Sequence, residues 1–121
     1  MSETRTANME KRRRRILKQA RVLLSEGGFD TLNLRDLAIA ADVTVPTIYN
    51  LVGNKAALLK ALVMDTFADF EALLEEQLPC PTEQVPALMI STLAGMIARD
   101  ESYFRASNLA GERLEYEAED R

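Results

Sequence analysis

Apolar positions recur at helical spacing along the first sixty residues, in blocks broken by polar or glycine-rich steps. From Met9 to Glu26 the stripe is Ile16, Ala20, Leu23 and Leu24, flanked by Leu17 and Val22, with Lys11 to Arg15 and Lys18 on the solvent side. Gly27-Gly28 ends this first helix, and the polar residues 1–8 before it read as frayed. A second helix is predicted over Leu34 to Ala41, turning Leu34, Leu37, Ala38 and Ala41 inward, with Asn33 as N-cap and Asp36 completing the capping interaction. Alanine on the inner side lets another helix approach closely.

After a four-residue connection centred on Asp42-Val43, Thr44 is positioned to cap a third, short helix of about Val45 to Val52. Pro46 then falls at N2, where no intrahelical partner is needed, so the Thr44 hydroxyl must take the Thr47 amide. This helix is expected to bury Ile48 with Leu51 or Val52, and to expose Thr47, Tyr49 and Asn50. Gly53 ends it and Asn54 caps a fourth helix from Lys55 to about Gln77, with the stripe Leu59, Leu62, Val63, Phe67, Phe70, Leu73, Leu74 and Leu78. At about 1.5 Å per residue such a helix reaches roughly 35 Å, longer than a small three-helix unit needs.

Pro79-Cys80-Pro81 breaks the pattern. A fifth helix is expected from Thr82 with Val85, Leu88, Met89, Leu93, Met96 and Ile97, Pro86 costing an early hydrogen bond or marking the true start. A sixth is expected from about Asp100 to Glu117 with Tyr103, Phe104, Ala106, Ala110 and Leu114. The fold class is therefore all-α: a three-helix helix-turn-helix domain at 8–60, then a long helix leading into a second, incomplete helical domain at 61–121.

Charge separates the same two parts. The formal net charge of -4 hides +5 on residues 1–60 and -9 on residues 61–121, so only the first half attracts a polyanion. Cys80 is the single cysteine, so no internal disulfide forms. No run approaches the eighteen or so apolar residues of a membrane span and the N-terminus has no apolar signal region, which makes a cytoplasmic protein the expectation. The chain has no histidine, which removes histidine-based acid-base chemistry, classical zinc sites and serine triads. Glu71, Glu75 and Glu76 share a helix face as a solvated charge cluster rather than a carboxylate pair for chemistry. Neither an enzyme nor a metal or other cofactor is expected.

A helix with small inward residues, a tight turn and a capped short helix is the arrangement in which one helix braces another against DNA. The run from Leu37 to Leu59, LAIAADVTVPTIYNLVGNKAALL, preceded by the basic first helix and its glycine stop, resembles the N-terminal DNA-binding domain of the TetR family of transcriptional regulators. Leu37-Ala38 and Ala41-Asp42-Val43-Thr44 resemble the family's Ile-Ala, two free positions, then Ala-Gly-Val-Ser. Thr47-Ile48-Tyr49 resembles its Thr-Leu-Tyr, and Asn54-Lys55 with Leu58-Leu59 resembles the pairs that open its fourth helix. The sequence departs from the pattern at Asp42, where the family has glycine, and at Val52, where it has an aromatic residue. Ile39, Ala40 and Val45 make the expected outer surface unusually apolar.

The resemblance implies that Thr47 and Tyr49 approach the DNA backbone or base edges and that Lys55 holds a phosphate at the start of the fourth helix, where backbone amides add partial positive charge. Asn50 either reads an adenine edge or is an ordinary surface residue. Arg12, in the run Arg12 to Arg15, either follows phosphates, reaches into a minor groove or is solvated surface. The surface expected to face DNA is completed by Asn33, Arg35, Thr44, Val45 and Pro46. Phe67, Phe70, Met89, Leu93 and Met96 either line an effector pocket for a small apolar or amphipathic molecule or pack a core. The expected function is a ligand-responsive repressor, binding a near-palindromic double-stranded DNA site as a homodimer. The alternative is a helical interaction protein that keeps the fold without specific DNA binding. The resemblance also implies a longer chain, whose last helices make most of the dimer interface.

Overall fold

The computed structural model describes residues 2–109. The chain is helical throughout these residues: α1 (Ser2–Thr31), α2 (Leu34–Ala41), α3 (Val45–Leu51), α4 (Lys55–Glu76), a 3-10 turn (Thr82–Gln84) and α5 (Val85–Arg99), followed by a helical segment at 101–109, here α6. The part of the expected sixth helix from Ala110 onward lies outside the described residues.

α1 corrects the reading of the N-terminus. Residues 1–8 read as frayed, yet the helix runs without a break from Ser2 towards the glycine pair. The expected stop is real: Gly28 has φ 79 and ψ -179, so the helical path breaks there and one further turn follows to Thr31. A left-handed φ of this kind is open to glycine and costly for residues with a Cβ.

The two short helices begin as their caps dictate. Asn33 Oδ1 accepts the Asp36 amide at 2.8 Å while Asn33 Nδ2 donates to Asp36 Oδ2 at 2.9 Å. Thr44 Oγ1 accepts the Thr47 amide at 3.3 Å, with Pro46 in the first turn of α3 as the cap requires. Between them the connection is three residues, one shorter than expected, because Asp42 turns the chain in the left-handed region at φ 56 and ψ 49. Gly53, at φ 124, makes the next turn, and a Cβ there would meet the Ala57 Cβ at 2.8 Å.

One core holds the first four helices together. Ile16, Leu17, Ala20 and Leu24 of α1 pack with Leu32, Leu37, Ala38, Ala41 and Ile48, and with Leu58, Leu59 and Leu62 at the start of α4. Tyr103 of α6 joins the same cluster, so the second module rests directly on the first. Beyond Leu62 no residue of α4 is fully buried; Val63, Met64, Phe67 and Leu78 are exposed, as are Met89, Ile90, Leu93 and Ile97 of α5. The expected apolar stripe of α4 is therefore core in its first two turns and surface or groove wall after that. No helix among the described residues is long and apolar enough to cross a membrane.

Candidate nucleic-acid interface

α1 and α2 fix α3 from beneath through Ile48, which is fully buried. Pro46, Tyr49 and Asn50 are exposed, Tyr49 at 55%. Thr47 is half-buried, and its hydroxyl pairs with the Thr44 hydroxyl at 2.8 Å. Val45, counted with the outer surface from sequence, packs against the core instead, because it lies three residues before the buried Ile48 and shares its helix face. Asn33 and Arg35 sit exposed at the start of α2, where the Asn33 side chain is engaged in the cap.

The N-terminal turns of α1 add a wall that sequence reasoning missed. Thr4, Arg5, Asn8, Met9 and Arg12 face Thr47, Asn50 and Leu51 across a groove of about 630 Å³. Arg12 thus joins two of the expected α3 residues, and Arg5 and Asn8 enter with it. Residues 4, 5, 8, 9 and 12 are a helical-face pattern, a signal obscured by the polarity of residues 1–8.

Lys55 begins α4 as expected, but its ammonium donates to the Phe29 carbonyl and lies 4.1 Å from the centre of the Phe29 ring. It ties the start of α4 to the turn that ends α1. This is a cation held against a ring face and a backbone acceptor.

A second depression lies in the other module. Val63, Thr66, Phe67, Phe70, Leu93, Met96, Tyr103, Phe104, Ser107 and Asn108 enclose about 370 Å³ between α4, α5 and α6. Four of the five residues expected in an effector pocket meet here, namely Phe67, Phe70, Leu93 and Met96. Met89 does not line it and is instead exposed on α5. The wall from α6 was read from sequence only as the apolar side of a helix. Among the described residues, Ser107 Oγ is a buried side-chain oxygen with no hydrogen-bond partner, and no charged side chain lines this groove.

Tyr103 connects the groove to α1. Its hydroxyl lies 3.1 Å from Thr66 Oγ1 and 3.3 Å from the Leu62 carbonyl oxygen. The Arg21 guanidinium of α1 lies 4.2 Å from the centre of its ring, and Arg21 Nε donates to Asp100 Oδ2 at 3.0 Å. Asp69 of α4 lies 3.7 Å from the same guanidinium.

Comparison with known proteins agrees with this architecture. Residues 16–62 match the family model described as bacterial regulatory proteins, tetR family. Among solved structures, the chain is similar to a TetR-family transcriptional regulator from Haemophilus influenzae RD, with a TM-score of 0.63 and 24% identity over 84% of this chain and 56% of that one. The chain thus spans little more than half the length of that relative. No curated protein matches it. The matched segment covers the buried face of α1, both short helices and the start of α4, which are the parts that hold α3 in place, so it is residues 16–62 that are similar to bacterial regulatory proteins of the tetR family.

Proposed function

We propose that the protein is a transcriptional regulator that binds double-stranded DNA through α3. The observation that carries this reading is the presentation of Tyr49 and Asn50 on a capped helix, beside a groove whose other wall supplies Arg5, Asn8 and Arg12. Exposed side chains on α3 are suited to base edges, whereas arginines on α1 and the start of α2 are suited to phosphates, which position without specifying sequence. The net charge of +5 on residues 1–60 supports the same partner.

One α3 contacts few bases, so a homodimer on a near-palindromic site supplies the specificity a repressor needs. The exposed apolar residues Met64, Met89, Ile90 and Ile97 of α4 and α5 support a second copy of the chain as the cover for that face. The groove between α4, α5 and α6 is of a size that holds a small molecule. Its apolar and uncharged wall, with the unpartnered Ser107 hydroxyl, supports an apolar or amphipathic effector. An effector that prefers one dimer geometry then releases or retains DNA by shifting populations. Such a regulator acts in the cytoplasm.

Selection of duplexes from a random library, followed by fluorescence-anisotropy titration at two salt concentrations, tests the DNA reading. A selected duplex is expected to bind more tightly than a scrambled one, with affinity falling as salt rises. Absence of both sequence preference and salt dependence rejects it. The exposed α4–α5 face favours one second reading, a helical interaction protein without specific DNA binding. Tyr49→Ala separates the two: unchanged DNA affinity supports the interaction protein, while a loss shared by all duplexes assigns Tyr49 to the DNA backbone.

A further inference from the structure

The Tyr103 ring separates two depressions. It lines the α4–α5–α6 groove with Phe67, Phe70, Met96 and Ser107. It also lines a cleft beside α1, with Arg21, Leu62 and Asp69. At 1% exposure, and with its hydroxyl tethered to Leu62 and Thr66, the ring has little room to move independently of its neighbours. Among the α1 side chains near the ring, Arg21 is the one that also pairs with the second module: its guanidinium rests on the ring while Asp100, at the corner between α5 and α6, holds its Nε.

We propose that Tyr103 and Arg21 couple the α4–α5–α6 groove to α1, so that filling the groove changes how firmly α1 is held beneath α3. The inference rests on the regulatory reading above and specifies how that groove acts on the DNA-binding domain. The physical link is short. A group entering the groove presses on the Tyr103 ring, the ring displaces the guanidinium stacked on it, and the pairing with Asp100 and Asp69 shifts. With its hydroxyl held at Leu62 and Thr66, the ring passes such a displacement to the guanidinium packed on its face. α1 carries Ile16, Ala20 and Leu24 against the same core that holds Ile48 of α3. A change in the hold on Arg21 is therefore a change in the support of the reading helix. Arg21 acts here as a positioning residue, through its partners and not by touching DNA.

The test fills the groove without an effector. Ser107→Trp places an indole there, and hydrogen exchange of α1 amides over residues 13–24 is compared in the full-length wild type, Ser107→Trp, Arg21→Met and the double variant. The coupling predicts that Ser107→Trp changes α1 exchange at least fivefold in the wild-type background and less than twofold in the Arg21→Met background. Equal changes in both backgrounds, or none in the wild type, overturn it. Should Ser107→Trp fail to fold by circular dichroism, Ser107→Leu is read by the same criteria. Affinity for the selected duplex in the same four proteins provides a second readout, expected to show the same non-additivity. A protein that binds no duplex rejects the DNA reading while the exchange cycle still decides the coupling. A protein that binds its duplex with additive exchange effects rejects the coupling alone.

Discussion

Asp42 occupies a left-handed position at φ 56 in the turn between α2 and α3, and its backbone amide closes α2 onto the Ala38 and Ile39 carbonyls. Aspartate tolerates this region better than most residues, but glycine occupies it without a Cβ penalty. Asp42→Gly is expected to raise unfolding stability by on the order of 0.5 kcal/mol, and Asp42→Val to lower it by about 1–2 kcal/mol, in urea denaturation. Two positions later, Thr44→Ala removes the side-chain acceptor for the Thr47 amide and the partner of the Thr47 hydroxyl. A loss of about 1 kcal/mol is expected from the same measurement. Lys55 has a structural task besides the phosphate contact expected from sequence, since it joins α4 to Phe29. In the absence of DNA, Lys55→Met is expected to destabilise the protein by about 1–2 kcal/mol, because the Phe29 carbonyl and ring lose their cation. An unchanged midpoint would restrict Lys55 to a surface role.

α1 combines two functions along its length. From Ile16 to Leu24 it is a core helix, while residues 3–12 are exposed and form the wall opposite α3. Substitution in the exposed part therefore separates binding from stability. Arg5→Ala is expected to leave the melting temperature unchanged, to weaken binding of all duplexes several-fold and to reduce the salt slope by about one, as removal of a single phosphate contact does. A changed sequence preference without a change in slope would instead assign Arg5 to a base. α4 is divided in the complementary way: Leu58, Leu59 and Leu62 are buried, and the helix then continues with Phe67 at 60% exposure. Its first turns complete the DNA-binding domain and its remainder offers walls to the second module, which explains why one helix of 22 residues belongs to both.

Charge is divided along the chain, with +5 on residues 1–60, which include α2 and α3, and -9 on residues 61–121. Long-range attraction to DNA favours approach by the first half, and repulsion from the second discourages the inverted orientation. The apolar surface is polarised too, with Ile90 at 70% exposure on α5. If the proposed homodimer is covered on this face, Ile90→Glu is expected to convert it to monomer in sedimentation velocity at micromolar concentration while leaving the helical circular dichroism spectrum intact, because a charge is costly in an apolar interface and harmless on a free surface. A dimer that persists with unchanged affinity would place the interface away from that face of α5.

Helix periods, glycine breaks and cap residues are local properties, and they were enough to mark α2, α3 and α4 to within a residue or so. Asn33, Thr44 and Asn54 act over three residues, so their amide partners could be named without a tertiary context. The placement of Ile48 inside and Tyr49 outside follows from the same periodicity. Periodicity could not show that residues 2–8 continue α1, since the stretch is mostly polar and Thr4, Arg5 and Asn8 of it line a groove facing α3. Nor could it separate core from groove along α4, because Leu62 and Phe67 look equally apolar in one dimension and differ in what packs over them. The ends of Lys55 and Arg21 were likewise decided in space: Phe29 and Asp100 lie 26 and 79 residues away along the chain. Local chemistry determines where a helix begins and which face is apolar, whereas the partner of a long side chain is whichever group the packed helices bring within its reach.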